Sequence, residues 1–330
     1  MVEIVMQRRK FVQLAGAVSL AGLAGCSGGT DDGDFPSSDL RIVIPYSEGG
    51  GSDMYARQIG GVLEDETGEA ITLENHEGSG GMIGVQEVVN SSQEGHDIFT
   101  HNLPTIALEH MQQDIDIFDL DDLRGQTIAV YATDVRMTVK NPDLDVETYE
   151  DLIDIQDEID YGTPGGTEMG ILQKADELHG FVPNNHVTYD GGADAAAAVA
   201  SGELDIASAP EGNFEGPIES GDVEPFFVWA SSGSSIYEDV PTIADDEMGG
   251  FEEFDWLSET QRAFWSSPDA SDETLEWWED ALEDTMTSDE MESWSEETGS
   301  PIQFDGRDDA NQAFEDAIEG MEEDIDIDEL

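Results

Sequence analysis

Short apolar runs alternate with amphipathic stretches along most of the chain beyond residue 39. Residues 41–46 predict a strand, and the apolar positions of residues 54–67 recur on one face of a predicted helix that Gly68 ends. The same alternation continues through the middle of the chain and becomes helix-rich after Pro241. Strands that alternate with helices predict an α/β fold with largely parallel sheets.

The remaining predicted elements follow the same pattern. The predicted strands are residues 71–74, 97–100, 127–131, 159–162, 186–189, 204–207 and 226–230. The predicted helices are residues 82–90, 146–155, 167–178, 194–200, 273–286 and 309–321. In the helix of residues 273–286, we expect Trp277, Trp278, Leu282 and Met286 to pack in a core.

The first 26 residues have a different composition. Arg8, Arg9 and Lys10 precede an apolar run, residues 11–24, and the sole cysteine follows at position 26. The string QRRKFV resembles a twin-arginine export signal, and LAGC resembles a lipobox, in which the cysteine is lipidated. We therefore expect residues 1–25 to be a signal, Cys26 to carry a lipid anchor and residues 26–39 to form a flexible tether at the outer face of the membrane.

The chain is strongly acidic, with 78 Asp and Glu against 11 Lys and Arg and a net charge of -67. Nucleic-acid binding is excluded because it needs clustered basic residues. With 38% apolar residues, including 13 Phe and 6 Trp, the chain can form a core, so disorder is not expected. Acidic residues spread along the whole chain indicate a protein adapted to concentrated salt, which we expect to loosen on desalting.

Three glycine-rich turns, residues 45–53, 75–81 and 162–167, stand at predicted strand-to-helix junctions. Glycine lets the backbone approach a ligand, and the start of a helix presents free N–H groups, so each turn is a candidate anion site. Ser52, Ser79, Thr163 and Thr167 add hydroxyl groups. For any one turn, the alternative is a tight turn in which Ser52 or Asp53 caps the helix.

Other chemistry has little support in the sequence. No Gly-Lys-Ser/Thr follows a glycine turn, neither of the first two turns completes G-x-G-x-x-G, and the six histidines show no metal-binding spacing. We therefore expect no nucleotide cofactor and no metal. A G-x-S-x-G elbow is also absent, although two carboxylates of a carbohydrate hydrolase would be impossible to recognise by sequence.

In their order along the chain, these turns resemble those of the extracytoplasmic solute receptors of tripartite tricarboxylate transporters, the Bug family. The resemblance covers nearly the whole chain after the signal. It is carried by residues 45–53 (PYSEGGGSD), 74–84 (ENHEGSGGMIG), 94–99 (EGHDIF), 161–165 (YGTPG), 187–192 (VTYDGG) and 239–243 (DVPTI). The first two motifs are the most specific.

The resemblance implies a non-enzymatic binding protein with a two-lobed periplasmic-binding-protein fold of type II, each lobe a mainly parallel sheet flanked by helices. Residues 40–130 and 231–330 would form the first lobe and residues 131–230 the second, with hinges near residues 129–133 and 228–230. A small carboxylate would bind between the lobes and pass to membrane permease subunits. The matching ligand-binding positions are Tyr46, Gly49, Gly50, Gly51, Ser52, Ser79, Gly80, Thr163, Gly165, Thr167, Asp190 and Gly191.

The sequence departs from the family pattern at three places. Glu48 adds an acid to the first turn, Asp190 stands where a lysine is common, and His76-Glu77 replaces a frequent Arg-Pro. All three weaken the attraction for polyanions, so a tricarboxylate is not assured, and an amino acid or other partly cationic carboxylate stays open beside a dicarboxylate. The same three exchanges are equally compatible with surface adaptation to salt. Together with the acidity, the amino terminus resembles that of haloarchaeal twin-arginine lipoproteins. A carbohydrate hydrolase and a receptor that presents its ligand to a signalling protein are the alternative functions.

Overall fold

The computed structural model describes residues 35–113, 118–189, 191–244 and 249–326. The predicted signal, Cys26, the first part of the predicted tether and Asp190 lie outside these ranges. Within the described part of the tether, Phe35 packs against His96 and Trp277, with ring centroids 4.6 and 5.2 Å away. The Ser37 N–H group also donates to His96 Nε2 over 3.0 Å.

Nine strands in the described ranges form a sheet in the order β2-β1-β3-β9-β4-β7-β5-β6, with β8 also paired to β4. They are β1 (Leu40–Ile44), β2 (Ile71–Asn75), β3 (Asp97–Leu103), β4 (Thr127–Lys140), β5 (Asp160–Thr163), β6 (Asn185–Thr188), β7 (Ile206–Pro210), β8 (Glu224–Val228) and β9 (Glu259–Ser266). The two flanks of the sheet, β2-β1-β3 and β7-β5-β6, are parallel. The strands that join them pair antiparallel.

Helices connect the strands and cover the sheet, which confirms the predicted α/β class. They are α1 (Gly51–Thr67), α2 (Met82–Val89), α3 (Thr105–Gln112), α4 (Tyr149–Asp154), α5 (Thr167–His179), α6 (Gly192–Ser201), α7 (Glu215–Ser220), α8 (Asp255–Ser258), α9 (Asp272–Met286), α10 (Asp289–Thr298) and α11 (Arg307–Asp324). In the described ranges, none of them combines the length and the apolar character that crossing a membrane requires.

The long strand β4 exchanges its partners along its length. From Thr127 to Val135 it pairs with β9, and from Arg136 it pairs with β7 and β8. One continuous strand therefore belongs to both halves of the sheet, and the exchange falls between two adjacent residues.

Apolar side chains pack on both sides of this sheet in four clusters. On α9, Trp278, Leu282 and Met286 are buried and Trp277 packs beside them, as the helical pattern predicts. The Trp278 indole N–H donates to the Gly95 carbonyl over 2.8 Å, which satisfies its one polar group inside the core.

Two strands differ most from the prediction. Strand β9 lies in the region that the sequence presented as helix-rich, and β4 continues to Lys140 instead of ending at residue 131. In the second half of β4, polar Asp134, Arg136 and Thr138 alternate with apolar residues. This period of two belongs to a strand, but the polar members conceal it in a search for continuous apolar runs.

Candidate functional site

A cleft of about 690 Å³ opens beside the first glycine turn. The turn and the start of α1 form one side, and the segment that follows β7 together with the start of α7 forms the other. The central strands contribute its inner wall through Asn102, Asp134 and Arg262. Residues of the glycine turn, both halves of the sheet and the segment 298–301 therefore meet around a single space.

Hydrogen bonds of Asp53 and Asn75 hold the first glycine turn in its conformation. The Gly49 N–H group donates to Asp53 over 2.8 Å, and the Asn75 side-chain amide donates to Asp53 over 2.8 Å and to the Tyr46 carbonyl over 3.0 Å. Arg57 forms an ion pair with Asp53 at 2.9 Å. Burial alone would raise the pKa of Asp53, but these partners lower it below its ordinary value. Asp53 thus fixes the shape of the turn.

The amino terminus of α1 is open towards the cleft. The N-cap residue is Gly50, which has no side chain that could accept a hydrogen bond from the first-turn amides. Gly51 and Ser52, the first two helical residues, line the cleft. Free amides and the positive end of the helix dipole favour an anion there.

Arg262 of β9 is the one cation among the residues that line the cleft. Its guanidinium pairs with Asp134 of β4, donates to the Ser52 hydroxyl over 3.1 Å and lies 5.7 Å from the centre of the Tyr55 ring. Burial alone would lower the pKa of Arg262, but the Asp134 charge outweighs it and the pKa is raised. The Nε atom is buried without a hydrogen-bond partner among the described residues.

His101 of β3 connects the first two glycine turns. The Asn102 N–H group donates to His101 Nδ1 over 2.8 Å, which leaves Nε2 to donate to the Gly80 carbonyl at 3.1 Å. The Tyr46 hydroxyl lies 3.1 Å from Nδ1. Burial lowers the pKa of His101 to about 4, so the ring is neutral near pH 7. At Gly81, an added Cβ would lie 2.7 Å from His101 Nε2, so this glycine is required by the contact.

The second and third turns do not border the cleft. At the second turn, Glu109 lies over Gly80, where an added Cβ would stand 2.2 Å from its carboxyl carbon. At the third turn, the Thr163 hydroxyl lies 2.8 Å from His186 Nε2 and accepts from the Gly165 N–H group over 3.2 Å.

The Thr167 hydroxyl of the third turn accepts from Arg136, and Arg136 also pairs with Glu168 at 2.9 Å. Only 3% of the Arg136 side chain is exposed, and its Nη1 atom has no partner among the described residues. The third turn is therefore anchored to β4 by a buried ion pair, and the Thr167 side chain is already engaged.

The structure brings some of the predicted ligand-binding residues together at the cleft. Those that line it are Tyr46, Gly50, Gly51 and Ser52. Gly49 does not line the cleft, and its N–H group donates to Asp53. Those that do not line it are Ser79, Gly80, Thr163, Gly165, Thr167 and Gly191. Asp190 lies outside the described residues. The assignment of all twelve to a ligand stays a prediction.

Several cleft residues escaped the sequence analysis, among them Asn102, Asp134, Asn213 and Arg262. Asp134 and Arg262 are 128 positions apart, and only the pairing of β4 with β9 makes them neighbours. A usable signal was present: Arg136 and Arg262 each interrupt an otherwise strand-like segment of a chain that is poor in basic residues. A buried arginine needs a partner, so such positions indicate an internal charged site.

Elsewhere in the described ranges, Glu74, His76 and Glu87 place possible metal ligand atoms within 4.8 Å of one another. The spacing of the histidines did not indicate this group, because Glu87 comes from a different element. The Arg41 guanidinium already lies among these side chains and pairs with both glutamates. The arginine therefore supplies the positive charge that a cation would bring.

Comparison with known proteins gives a consistent result. The family described as "Tripartite tricarboxylate transporter family receptor" matches residues 55–322. A UPF0065 protein of the TAR-I ttuE-ttuC' intergenic region of Agrobacterium vitis is 24% identical over 241 residues, which are 71% of this chain and 67% of that protein. Protein BugT of Bordetella pertussis is 23% identical over 220 residues, 64% of this chain and 66% of that protein.

Solved structures show the same fold at low identity. A TctC solute-binding protein from Polaromonas, without ligand, has a TM-score of 0.72 at 17% identity and covers 86% of this chain and 96% of its own. MatC from Rhodopseudomonas palustris, with bound malate, has a TM-score of 0.69 at 16% identity and covers 88% and 100%. An R. palustris protein with adipate has a TM-score of 0.68 at 19% identity and covers 88% and 96%.

Proposed function

The chain belongs to the tripartite tricarboxylate transporter receptor family, and we propose that it captures a small carboxylate in the cleft beside the first glycine turn. The observation that carries the proposal is the uncapped amino terminus of α1 with the Arg262 guanidinium beside it in a cleft of about 690 Å³. Malate and adipate in the structures of two relatives support the same class of ligand.

The ligand carboxylate would accept hydrogen bonds from the amides of Gly51 and Ser52. Removing a carboxylate from water costs several kcal/mol unless donors replace its hydration, and charge-assisted hydrogen bonds are the strong ones. The Arg262 guanidinium lies at the same end, beside the Ser52 hydroxyl, and its ion pair with Asp134 offsets its charge. Surface acids farther away weaken this attraction little in concentrated salt, because screening acts over a few ångströms.

Binding would be accompanied by closure of two lobes, residues 40–130 with 231–330 and residues 131–230. The exchange of partners in β4 supports a hinge between Val135 and Arg136, just beyond the predicted segment 129–133. A ligand held from both sides stabilises the closed form by its differential affinity for it. The closed receptor would then deliver the ligand to the membrane subunits of a tripartite transporter.

Export and anchoring complete the proposal. Cys26 would be lipidated after twin-arginine export, and residues 26–39 would tether the body to the outer face of the membrane of a salt-adapted cell. In a host that lipidates such signals, Cys26→Ser should move the protein from the membrane fraction to the medium. Equal membrane retention of the variant and the wild-type protein would contradict the anchor.

The carbohydrate-hydrolase alternative is not supported, because the matching family and its solved neighbours are binding receptors and not enzymes.

Calorimetry in molar KCl against malate, succinate, adipate and citrate tests whether the protein binds a small carboxylate. We expect binding of at least one of these acids, or of their amino analogues, without product formation. Turnover of the bound compound would overturn the proposal.

A pair of glycine substitutions tests the site. Gly50 lines the cleft, and a Cβ there already lies 3.3 Å from the Ser47 carbonyl oxygen, so Gly50→Val should close the approach to the α1 amides and weaken binding about tenfold or more. Gly61 is exposed on α1 with open space around its Cβ position, so Gly61→Val is the matched control. Unchanged affinity of Gly50→Val would exclude this cleft as the binding site.

A further inference from the structure

Glu211 contacts both chain segments that connect the two proposed lobes. The first segment is β4, where the exchange of partners falls between Val135 and Arg136, and the second is residues 230–234, which follow β8. The Glu211 side chain accepts from the Val135 N–H group of the first segment and from the Ser234 hydroxyl of the second. One carboxyl group is therefore hydrogen-bonded to both connecting segments.

We propose that protonation of Glu211 controls the hinge, and this proposal rests on the proposed function. In its protonated state the side chain holds the two connecting segments together and favours the closed form. Ionisation of the carboxyl group favours their separation, so the affinity for the ligand falls as the pH rises.

The contact with Ser234 has a fixed direction. The Ser234 hydroxyl oxygen accepts from the N–H groups of Ile236 and Tyr237 over 3.1 and 2.7 Å. With both acceptor positions of the oxygen in use, its single O–H group is directed at the Glu211 carboxyl group. Both Ser234 and Glu211 are buried, so bulk water does not replace this contact in the conformation described here.

The second connecting segment is held from both proposed lobes. The Ser232 hydroxyl donates to Glu259 of β9 over 2.8 Å, which attaches the segment to the first lobe. Glu211 follows β7 and belongs to residues 131–230, the second lobe. A rotation of one lobe against the other would therefore act on the contact between Ser234 and Glu211.

The surroundings of Glu211 favour its protonated state. Burial raises the pKa of Glu211 to about 7, the charge of Asp134 acts in the same direction, and the hydrogen bonds from Ser234 and Val135 oppose them in part. Separation of the segments would admit water to the carboxyl group and return its pKa towards the ordinary 4.5. Protons therefore favour the conformation in which Glu211 is buried.

That conformation is also one in which the sides of the cleft approach each other. The Glu215 Oε1 atom, on α7 of the second lobe, lies 3.7 Å from the Cβ position of Gly299 in the first lobe. Burial of Glu211 and contact across the cleft thus occur together. With a pKa of about 7 in the closed form and 4.5 in the open form, the ratio of closed to open protein falls about tenfold between pH 6 and 8.

The elements packed around Glu211, which are β4, β7, α6 and α7, contain no histidine, the side chain whose ordinary pKa lies near 6.5. Asp134 pairs with Arg262, Arg136 pairs with Glu168, and burial raises the pKa of Tyr237. The charged or titratable side chains near the junction, on these elements and on the segment after β8, are Asp134, Arg136, Asp194, Glu215, Glu219 and Tyr237. We therefore assign the response between pH 6 and 8 to Glu211.

Distances between two spin labels measure the opening without a ligand. In a Cys26→Ser background, Glu219→Cys on α7 and Glu296→Cys on α10 place labels at exposed positions on the two sides of the cleft. In molar KCl, we expect the distance between the labels to increase from pH 6 to pH 8 in this parent protein. Glu211→Gln keeps an acceptor for Ser234 but cannot ionise, so its distance should stay short at both pH values.

Glu276→Gln, which is exposed on α9 and away from the cleft, is the control for loss of one charge and should respond as the parent does. Ser234→Ala removes a donor that favours the ionised form, so the midpoint of the response should move to higher pH. A parent distance that does not change with pH, or an equal change in Glu211→Gln, would overturn the proposal. An unchanged midpoint in Ser234→Ala would overturn the part assigned to this contact.

Calorimetry in molar KCl, with whichever of malate, succinate, adipate and citrate binds, connects the hinge to affinity. From pH 6 to pH 8 we expect the affinity of the unlabelled wild-type protein to fall about tenfold, and that of Glu211→Gln by less than about twofold. Titration of the ligand itself is the same for both proteins and cancels in the comparison. Equal pH dependence of the two proteins would overturn the proton control. Failure of all four acids to bind at any pH would instead overturn the proposed function, while the label distances would still decide on the hinge.

Discussion

Glu211 is a buried carboxyl group at the place where β4 exchanges its partners. It follows β7 directly, accepts from the Ser234 hydroxyl and from the Val135 N–H group, and has a pKa raised by burial to about 7. Val135 is the last residue of β4 that pairs with β9. The protonation state of one side chain is therefore coupled to the main chain at this junction.

The raised pKa of Glu211 predicts a pH-dependent stability. Its ordinary value is 4.5, so between about pH 4.5 and 7 the folded state binds more protons than the unfolded state, and stability is lost as the pH rises through this window. The full difference corresponds to about 3 kcal/mol. Glu211→Gln resembles the protonated form, so it should be more stable than wild type near pH 8 and nearly equal near pH 5.

Urea unfolding in molar KCl at several pH values measures this difference. His101 acts in the opposite direction, because its pKa of about 4 lies below the ordinary 6.5 and its contribution falls as the pH drops between these values. That contribution is present in both proteins and cancels in the comparison. A stability difference that does not change between pH 5 and 8 would contradict the raised pKa of Glu211.

For individual residues, the sequence predicted the first glycine turn but not the side chains that contact it. Tyr46, Gly50, Gly51 and Ser52 are close in sequence, and a glycine-rich helix start has a recognisable chemistry. Arg262 reaches them only through β9, whose pairing with β3 and β4 joins distant segments. Local pattern therefore finds the backbone donors of a site, while the side chains that set its charge depend on strand register.

Among the elements, α11 and α8 make an unusually close contact. An added Cβ at Gly320 of α11 would lie 2.3 Å from the Trp256 ring of α8. Overpacking of this kind costs about 1–3 kcal/mol. We predict that Gly320→Ala lowers the free energy of unfolding by about this amount, although alanine is the better helix former.

Gly61→Ala provides the matched control, because Gly61 lies inside α1 with open space at its Cβ position. There the helix propensity should act alone and stabilise the protein by about 1 kcal/mol. Urea unfolding of both variants in the same buffer gives the comparison. Stabilisation by Gly320→Ala would mean that the two helices are not held in this contact.

Elements were predicted well where the hydrophobic pattern was continuous. Strands β1 to β3 with helices α1 and α2 occur in the predicted order and near the predicted bounds. Strand β9 was missed because Thr260, Gln261 and Arg262 make its first half polar. The antiparallel pairing of β4 and β9 was also outside the prediction, since alternating strands and helices favour parallel neighbours and the pairing of distant strands leaves no local signal.

Across the whole molecule, the net charge of -67 predicts a dependence on salt. The Debye length is about 10 Å at 0.1 M salt and about 3 Å at 1 M, so the repulsion between surface acids grows as salt is removed. We expect the melting temperature to fall by about 10 °C or more between molar and 0.1 M KCl, which corresponds to a loss of a few kcal/mol for a chain of this size.

Thermal melts followed by circular dichroism test this dependence. Sucrose of matched osmolality at low ionic strength is the control, because it is excluded from the protein surface without screening charges. A melting temperature that does not change with KCl would contradict the salt adaptation. Full recovery in sucrose alone would attribute the effect to solvent exclusion and count against charge repulsion.

The pairing of the basic side chains also affects which surfaces of other macromolecules this protein can bind. Each Lys and Arg in the described ranges already has an acidic partner, and Lys140 and Lys174 are only 15% and 7% exposed. A docking surface on another protein must therefore bring arginines and lysines of its own, and a negatively charged one would be repelled. Because the lysines of these ranges are largely buried, reagents that label or immobilise proteins through amines will react with few groups there. Binding to other macromolecules is therefore best measured with the protein free in solution.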